Sequence, residues 1–332
     1  LAKLPEKTEG LTWRPSVIKA VLGRYRKVER RHEPSAIYQN TLGSGETSHL
    51  SRALMAAVNH NAMICQGPKS TGKNVLVETV AYCLGEQFFR IVFQKDMMLE
   101  DIYGSQTTDN SAAERLSIEN AMAKVRVDQG KFDAEDLRMA AEFEYDKAQS
   151  ACIRLVHSES DIIRWAREGG VILYDEMNMA NANILQVVLN SVADGEKVLV
   201  VPGVGNIKLN DHCVLLGGMN PGYAGTNELN AATKSRCGFI NFTYPATILP
   251  QLKANFVAGE IPEAFYQSCE KLYETFKVLV DSDPERSADC LNIRGFVNAL
   301  KNVAKFPGAT KLREELNTYV VAGCDEDDRD TF

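Results

Sequence analysis

The sequence holds no apolar run approaching the roughly 18 residues of a membrane span. Its start, LAKLPEKTEG, lacks the apolar core of a secretion signal, so a cytoplasmic location is the expectation. Eight cysteines, at 65, 83, 152, 213, 237, 269, 290 and 324, form no CxxC pair and do not cluster with the five histidines. Zinc-site spacing is therefore missing, and so few cysteines in so long a chain point to buried reduced thiols rather than a disulfide framework. Excess positive charge is missing too: 37 Lys+Arg stand against 44 Asp+Glu, a net charge of −7. That balance argues against nonspecific coating of nucleic acid.

What is present is an ordinary globular composition. With 45% hydrophobic and 24% charged residues, the 332-residue chain can build a core. At about 100–200 residues per domain, it has room for two or three domains.

Residues 1–48 mix charge, Pro and Gly and are read as an N-terminal extension, whose basic stretch Arg24 to Arg31 suggests a solvated helix face. From about 49 the chain alternates helix and strand. Residues 50–59 have helical spacing, 61–66 form a short apolar run, and 74–84 read as a helix closed by Gly85. Further short apolar runs at 88–93, 171–174, 214–216 and 239–242 bring the strands to five. Apolar strands separated by helical sequence predict an α/β fold, with a parallel five-stranded sheet covered on both faces.

Two stretches depart from the alternation. Residues 105–160 turn polar with narrow apolar stripes and predict a helical insertion, and 197–209 predict a β-hairpin around Pro202-Gly203. After Pro245 the strands stop, so 246–332 is expected to form a small all-α domain. The expected division is therefore 1–48, a sheet domain over 49–245, and a helical lid over 246–332.

Gly67-Pro68-Lys69-Ser70-Thr71-Gly72-Lys73-Asn74 matches the P-loop pattern G-x-x-x-x-G-K-[ST] at every position but the last. Glycines let backbone N–H groups curl round phosphates, the following helix offers its positive end, and Lys73 reaches the β- and γ-oxygens. Asn74 replaces the usual hydroxyl. Its amide oxygen would either bind Mg²⁺ directly or through water, or leave hydrolysis weakened.

Val171-Ile172-Leu173-Tyr174-Asp175-Glu176 is an apolar strand ending in two acids. Beside a P-loop, Asp175 would stand near the Mg²⁺ shell and Glu176 could orient or deprotonate the attacking water. The next strand ends in Gly217-Gly218-Met219-Asn220, where an amide could hold that water.

In this order the motifs resemble an AAA+ ATPase of the MoxR-like, dynein-related group, which also includes midasin, McrB and the CbbQ, NirQ and GvpN proteins. The markers, over about 50–325, are GPKSTGKN, DMMLEDIYG, EGGVILYDEMNMA, NILQVVLNSVADGE, GGMNPGYAGTNELNAATKSRCGF and LNIRGF. The resemblance implies a P-loop αβα sandwich with a helical lid, taking ATP and Mg²⁺. It implies Asn220 as sensor 1, the hairpin as the pre-sensor-1 insertion, and 105–160 as the helix-2 insertion. Arg236 would be the arginine finger lent to a neighbouring subunit, with Lys234 a second candidate, and Arg294 would be sensor 2. A guanidinium fork suits both tasks.

A finger acting in trans requires a homo-oligomer, and the family expectation is a hexameric ring. Members remodel or activate protein clients, often with a partner bearing a von Willebrand factor A domain. Three other readings remain open here. A McrB-like nucleic-acid motor is disfavoured by the near-neutral hairpin region 194–212. A small-molecule kinase would need neither the Asp-Glu pair nor a trans arginine. A weakly hydrolysing nucleotide scaffold is motivated by Asn74.

Overall fold

The computed structural model describes residues 15–26, 28–39, 48–104, 106–109, 154–157, 159–193, 197–222, 225–283 and 288–324. Five parallel strands form the central sheet: β1 (Met63–Gln66), β2 (Phe88–Val92), β5 (Gly170–Asp175), β8 (Cys213–Met219) and β9 (Gly238–Asn241), in the order β2-β5-β8-β1-β9. This is the α/β sheet expected from five short apolar runs.

Side chains of one strand alternate between two cores. Val171 and Leu173 join one cluster with Val214 and Leu216, while Ile172 and Tyr174 join the other with Leu215. The first cluster is covered by α1 (Pro15–Arg24), α2 (His49–Val58) and α3 (Lys73–Leu84), through Val21, Leu54 and Leu76. The second is covered by α5 (Asp161–Glu168) and α6 (Ala182–Ala193), where the buried Trp165 indole also donates to Gly170 O at 2.9 Å. Both faces are sealed, which is why the strands carry little polar sequence.

Residues 15–24 do not hang off the sheet domain. Val17 and Val21 are buried against α2 and α3. The basic stretch differs from the solvated helix face expected of it, because α1 stops at Arg24. The Arg24 guanidinium donates to the carbonyls of Ala57 and Asp211. Arg26 Nε lies 2.8 Å from Oε1 of Glu86, whose side chain is fully buried and also meets His212 Nδ1 at 2.9 Å. Desolvating a carboxylate is costly, and these partners offset the cost. Glu86→Ala would leave Arg26 and His212 facing an apolar gap. It is expected to destabilise the chain by roughly 2–3 kcal/mol, visible as a lower Tm in scanning fluorimetry; an unchanged Tm would contradict this role.

The expected helical insertion begins and ends otherwise. Short α4 (Leu99–Tyr103) leads into β3 (Gln106–Asp109), which pairs antiparallel with β4 (Arg154–His157), so the base of the insertion is a two-stranded ribbon. Residues 110–153 lie outside the described residues. The hairpin is present as β6 (Val198–Val201) against β7 (Gly205–Lys208). A short helix, α7 (Ala231–Arg236), leads into β9; beyond that strand the described elements are the helices α8 (Leu249–Lys253), α9 (Glu263–Ser282), α10 (Ile293–Lys305) and α11 (Leu312–Tyr319), with short 3-10 turns. They share a third core around Tyr273, Phe276, Phe296 and Leu300. The acidic end at 325–328 lies outside the described residues. Cys65, Cys83, Cys213, Cys237, Cys269, Cys290 and Cys324 are buried free thiols.

Candidate functional site

Parallel strands gather their carboxyl ends on one edge of the sheet, where loops can converge. Here those ends open into a cleft of about 750 Å³. The loop after β1 forms its floor. Gly67 has φ +150°, and a Cβ there would lie 2.3 Å from Phe242 O, so no larger residue fits. Gly72, with φ +90°, turns the chain into α3. Thr71 Oγ1 donates to Pro68 O at 2.9 Å and braces the loop, while Ser70 Oγ donates to Asn292 Oδ1 at 2.7 Å and ties it to the helical region.

Lys73 is buried at the start of α3, and its Nζ donates to Gly67 O at 2.9 Å and to Pro68 O. Burial pushes its pKa down to about 8, against the opposing pull of Glu176, Cys65 and Asp175. An ammonium capped by loop carbonyls can exchange them for phosphate oxygens at small cost, because both are charge-assisted acceptors.

The two acids after β5 have different surroundings. Asp175 is buried, and its Oδ2 accepts from Asn74 Nδ2 at 2.8 Å and from Arg90 Nε and Nη2 at 3.1 and 2.5 Å. Its Oδ1 accepts from the N–H of Glu176 at 3.1 Å. Glu176 itself sits at φ +53°, a conformation uncommon for a residue with a side chain. Both its carboxylate oxygens lie 2.7 Å from Nδ2 of Asn220, the residue after β8. Asn220 Oδ1 is buried without a hydrogen-bond partner. The Asn220 carbonyl accepts from Asn178 Nδ2 at 2.8 Å, which fixes the turn after β5 against the loop after β8.

Arg294, in the first turn of α10, lines the same cleft, as do Lys69, Ser70 and Thr71. Arg236 does not. It ends α7 just before the amino end of β9, whereas the cleft lies at the carboxyl ends, and its Nη1 donates to Ala232 O at 2.9 Å. Lys234, in the same helix, faces Glu228 at 3.8 Å.

Sequence reasoning passed over several neighbours. Arg90 stands alone in the apolar run of β2, where a single charge reads as a solvent-facing position. Asn298 and Lys301 follow Arg294 at i+4 and i+7 on α10 and line the cleft with it, a spacing that could have flagged them. Ile37 and Tyr38, from the strap that follows α1, close another wall, and Tyr38 donates its N–H to Thr79 Oγ1 at 2.9 Å. No cluster of three or more His, Cys, Asp or Glu with metal-binding geometry occurs among the described residues, nor does any helix there suit a membrane span.

Comparison with known proteins adds the family. The chain is 21% identical over 282 residues to the uncharacterized protein YojN of Bacillus subtilis, covering 83% of this chain and 76% of that one. An uncharacterized protein of Staphylococcus haemolyticus is 24% identical over 188 residues, 56% of this chain and 57% of its own length. The chain thus spans little more than half the length of some curated relatives it matches. A candidate ATPase from Cytophaga hutchinsonii, solved by crystallography, aligns over 57% of this chain and 44% of its own at 17% identity, with a TM-score of 0.35. The family model described as "AAA domain (dynein-related subfamily)" matches residues 62–237, more than half of the chain and four of the five strands of the central sheet, ending just before β9. The chain belongs to the dynein-related subfamily of AAA domains.

Proposed function

We propose that this chain binds and hydrolyses ATP as one subunit of a MoxR-type ring motor, and that the ring remodels or activates a client protein alongside a partner with a von Willebrand factor A domain. The observation that carries the reading is the convergence of Lys73, Asp175, Glu176, Asn220 and Arg294 on one cleft.

The loop N–H groups of 67–73 and the Lys73 ammonium take the phosphates. Glu176 acts on water. Its carboxylate is oriented by Asn220 Nδ2. Arg294 brings a fork-shaped cation from the helical region to the phosphates, so loss of the γ-phosphate would release that region from the sheet domain. Arg236 completes the site of the next subunit. Its place at the amino end of β9 favours a trans role over one in its own cleft. Head-to-tail contacts of this kind close into a ring, and the family resemblance supports six subunits.

A divalent cation does not fit the donor set at Asp175. Oδ2 already accepts from three N–H groups, one pair of them cationic, and Asn74 turns its amide N–H rather than its oxygen to the carboxylate. The same observation favours a second reading, a nucleotide-binding scaffold that hydrolyses slowly.

Lys73 gives the first test. Only its ammonium form attracts phosphate, and in the free protein it loses the proton near pH 8. Affinity for a nonhydrolysable ATP analogue is therefore expected to hold steady below that pH and to fall about tenfold per pH unit above it. Equilibrium dialysis between pH 6.5 and 9.5 (an experimental range of about 3 units) reads this directly, and an affinity that rises with pH would contradict the assignment.

A further inference from the structure

The Asp175 carboxylate and its neighbours form a unit that the hydrolytic reading leaves unexplained. It is almost fully buried and accepts four N–H donors: Asn74 Nδ2 at 2.8 Å, Arg90 Nε at 3.1 Å, Arg90 Nη2 at 2.5 Å and Glu176 N at 3.1 Å. Three of the four fall on Oδ2, which fills that oxygen, and one falls on Oδ1. Gly218 of β8 leaves room for it. A methyl at that position would stand 3.2 Å from Asp175 Oδ1 and 3.7 Å from Asn74 Oδ1.

A metal ion at Asp175 Oδ2 would have to displace Arg90, and one at Oδ1 would share the carboxylate with the guanidinium held on the other oxygen. Like charges so close repel strongly where water is scarce. Arg90 is well placed to stay. It extends from β2, which pairs directly with β5 in the register Val92 to Asp175, and its half-exposed side chain keeps contact with solvent while its fork holds the acid. Asn74 fits the same arrangement, because its amide N–H donates to Asp175 Oδ2 at 2.8 Å.

The charge of the cleft points the same way. Lys69, Lys73, Arg294 and Lys301 line it against Asp175, Glu176 and Asp289. With Asp175 neutralised by Arg90, four cations face two carboxylates, and a polyanion finds a net positive site without help.

We propose that Arg90, in place of a divalent cation, supplies the positive charge on Asp175, so that this cleft takes a nucleoside triphosphate free of metal. The proposal rests on the nucleotide reading above. It makes Arg90 a positioning residue: it acts on the phosphates through Asp175, by removing the repulsion that a bare buried carboxylate would exert.

The experiment is equilibrium dialysis of the whole chain against a labelled nonhydrolysable ATP analogue, once with Mg²⁺ and once with excess EDTA. Wild-type affinity is expected to differ by less than about fivefold between the two buffers. Arg90→Gln, at a half-exposed position that tolerates the change, uncovers Asp175. It should bind more than about fivefold more weakly in EDTA than in Mg²⁺, and Arg90→Lys should restore indifference to the metal in part. A wild-type chain that loses more than about fivefold of its affinity in EDTA overturns the proposal. So does an Arg90→Gln chain as indifferent to metal as the wild type. A wild-type chain that binds in neither buffer overturns the nucleotide reading instead.

Discussion

Glu176→Gln is expected to leave nucleotide affinity within about twofold of wild type while lowering turnover by at least about a hundredfold. The change is nearly isosteric. The glutamine carbonyl can still accept from Asn220 Nδ2, so the 2.7 Å contact that orients the side chain survives. The left-handed backbone at φ +53° costs a glutamine no more than it costs a glutamate. What is lost is the negative charge that draws a proton from water, and general-base catalysis of this kind contributes on the order of 10²–10⁴ in rate. Affinity is spared because Glu176 repels phosphate rather than holding it. The paired measurement is ATP turnover and equilibrium binding on the same preparation. A variant that hydrolyses within about tenfold of wild type would show that Glu176 is not the base.

Arg236→Ala is expected to reduce turnover by roughly 10³-fold or more, the range seen when a finger arginine is removed, again with little change in affinity. This residue is the least accessible to its own cleft. It lies before the amino end of β9 on the outer edge of the sheet, three strand positions from β5 by the order β2-β5-β8-β1-β9. At about 4.8 Å per strand, its lateral separation from the acids after β5 is on the order of 14 Å, and the loop after the neighbouring β1 lies at the opposite end of the strands. A neighbouring subunit's cleft is the alternative destination. Neither Arg236→Ala nor Glu176→Gln should hydrolyse alone, yet an equimolar mixture in shared rings should recover up to about a quarter of wild-type turnover, because random neighbours complete that share of sites. Mixtures that stay inactive after subunit exchange would argue against the trans assignment. Normal turnover by Arg236→Ala alone would end it.

These expectations draw on parts of the molecule that were unequally visible in its sequence. The sheet was legible because a buried parallel strand is an unbroken apolar run, and the runs at 171–174 and 214–216 have no competing pattern. Helix α3 was legible to within a residue, since a P-loop opens it and Gly85, at φ +69°, closes it. Lys73, Asp175, Glu176 and Asn220 could be placed together because each ends or follows a recognisable element.

What escaped notice depends on partners far away in the chain. Nothing near Arg26 reveals that Glu86 will be buried beneath it, or that Arg24 will reach the carbonyl of Asp211. A cluster of basic residues looks the same locally whether it is solvated or inserted. Arg90 was hidden by the alternation of its own strand, in which Phe89 and Ile91 point inward and the charge reads as solvent-facing. Its meaning depends on the β2–β5 register, which only the assembled sheet provides. The β3–β4 ribbon was missed because strands of only four residues, Gln106–Asp109 and Arg154–His157, carry too little periodicity to compete with the helical stripes beside them.

Turnover by Glu176, completion by Arg236 and the masking of Asp175 by Arg90 all require that the loop at 67–73 grips a triphosphate. Equilibrium dialysis of the wild-type chain at pH 7 against a labelled nonhydrolysable ATP analogue, with a Lys73→Ala chain in parallel, tests that most directly. The account predicts saturable binding at one site per chain, weakened by about a hundredfold or more when Lys73 is removed. Wild-type binding that never saturates, or that survives the loss of Lys73 undiminished, would contradict it.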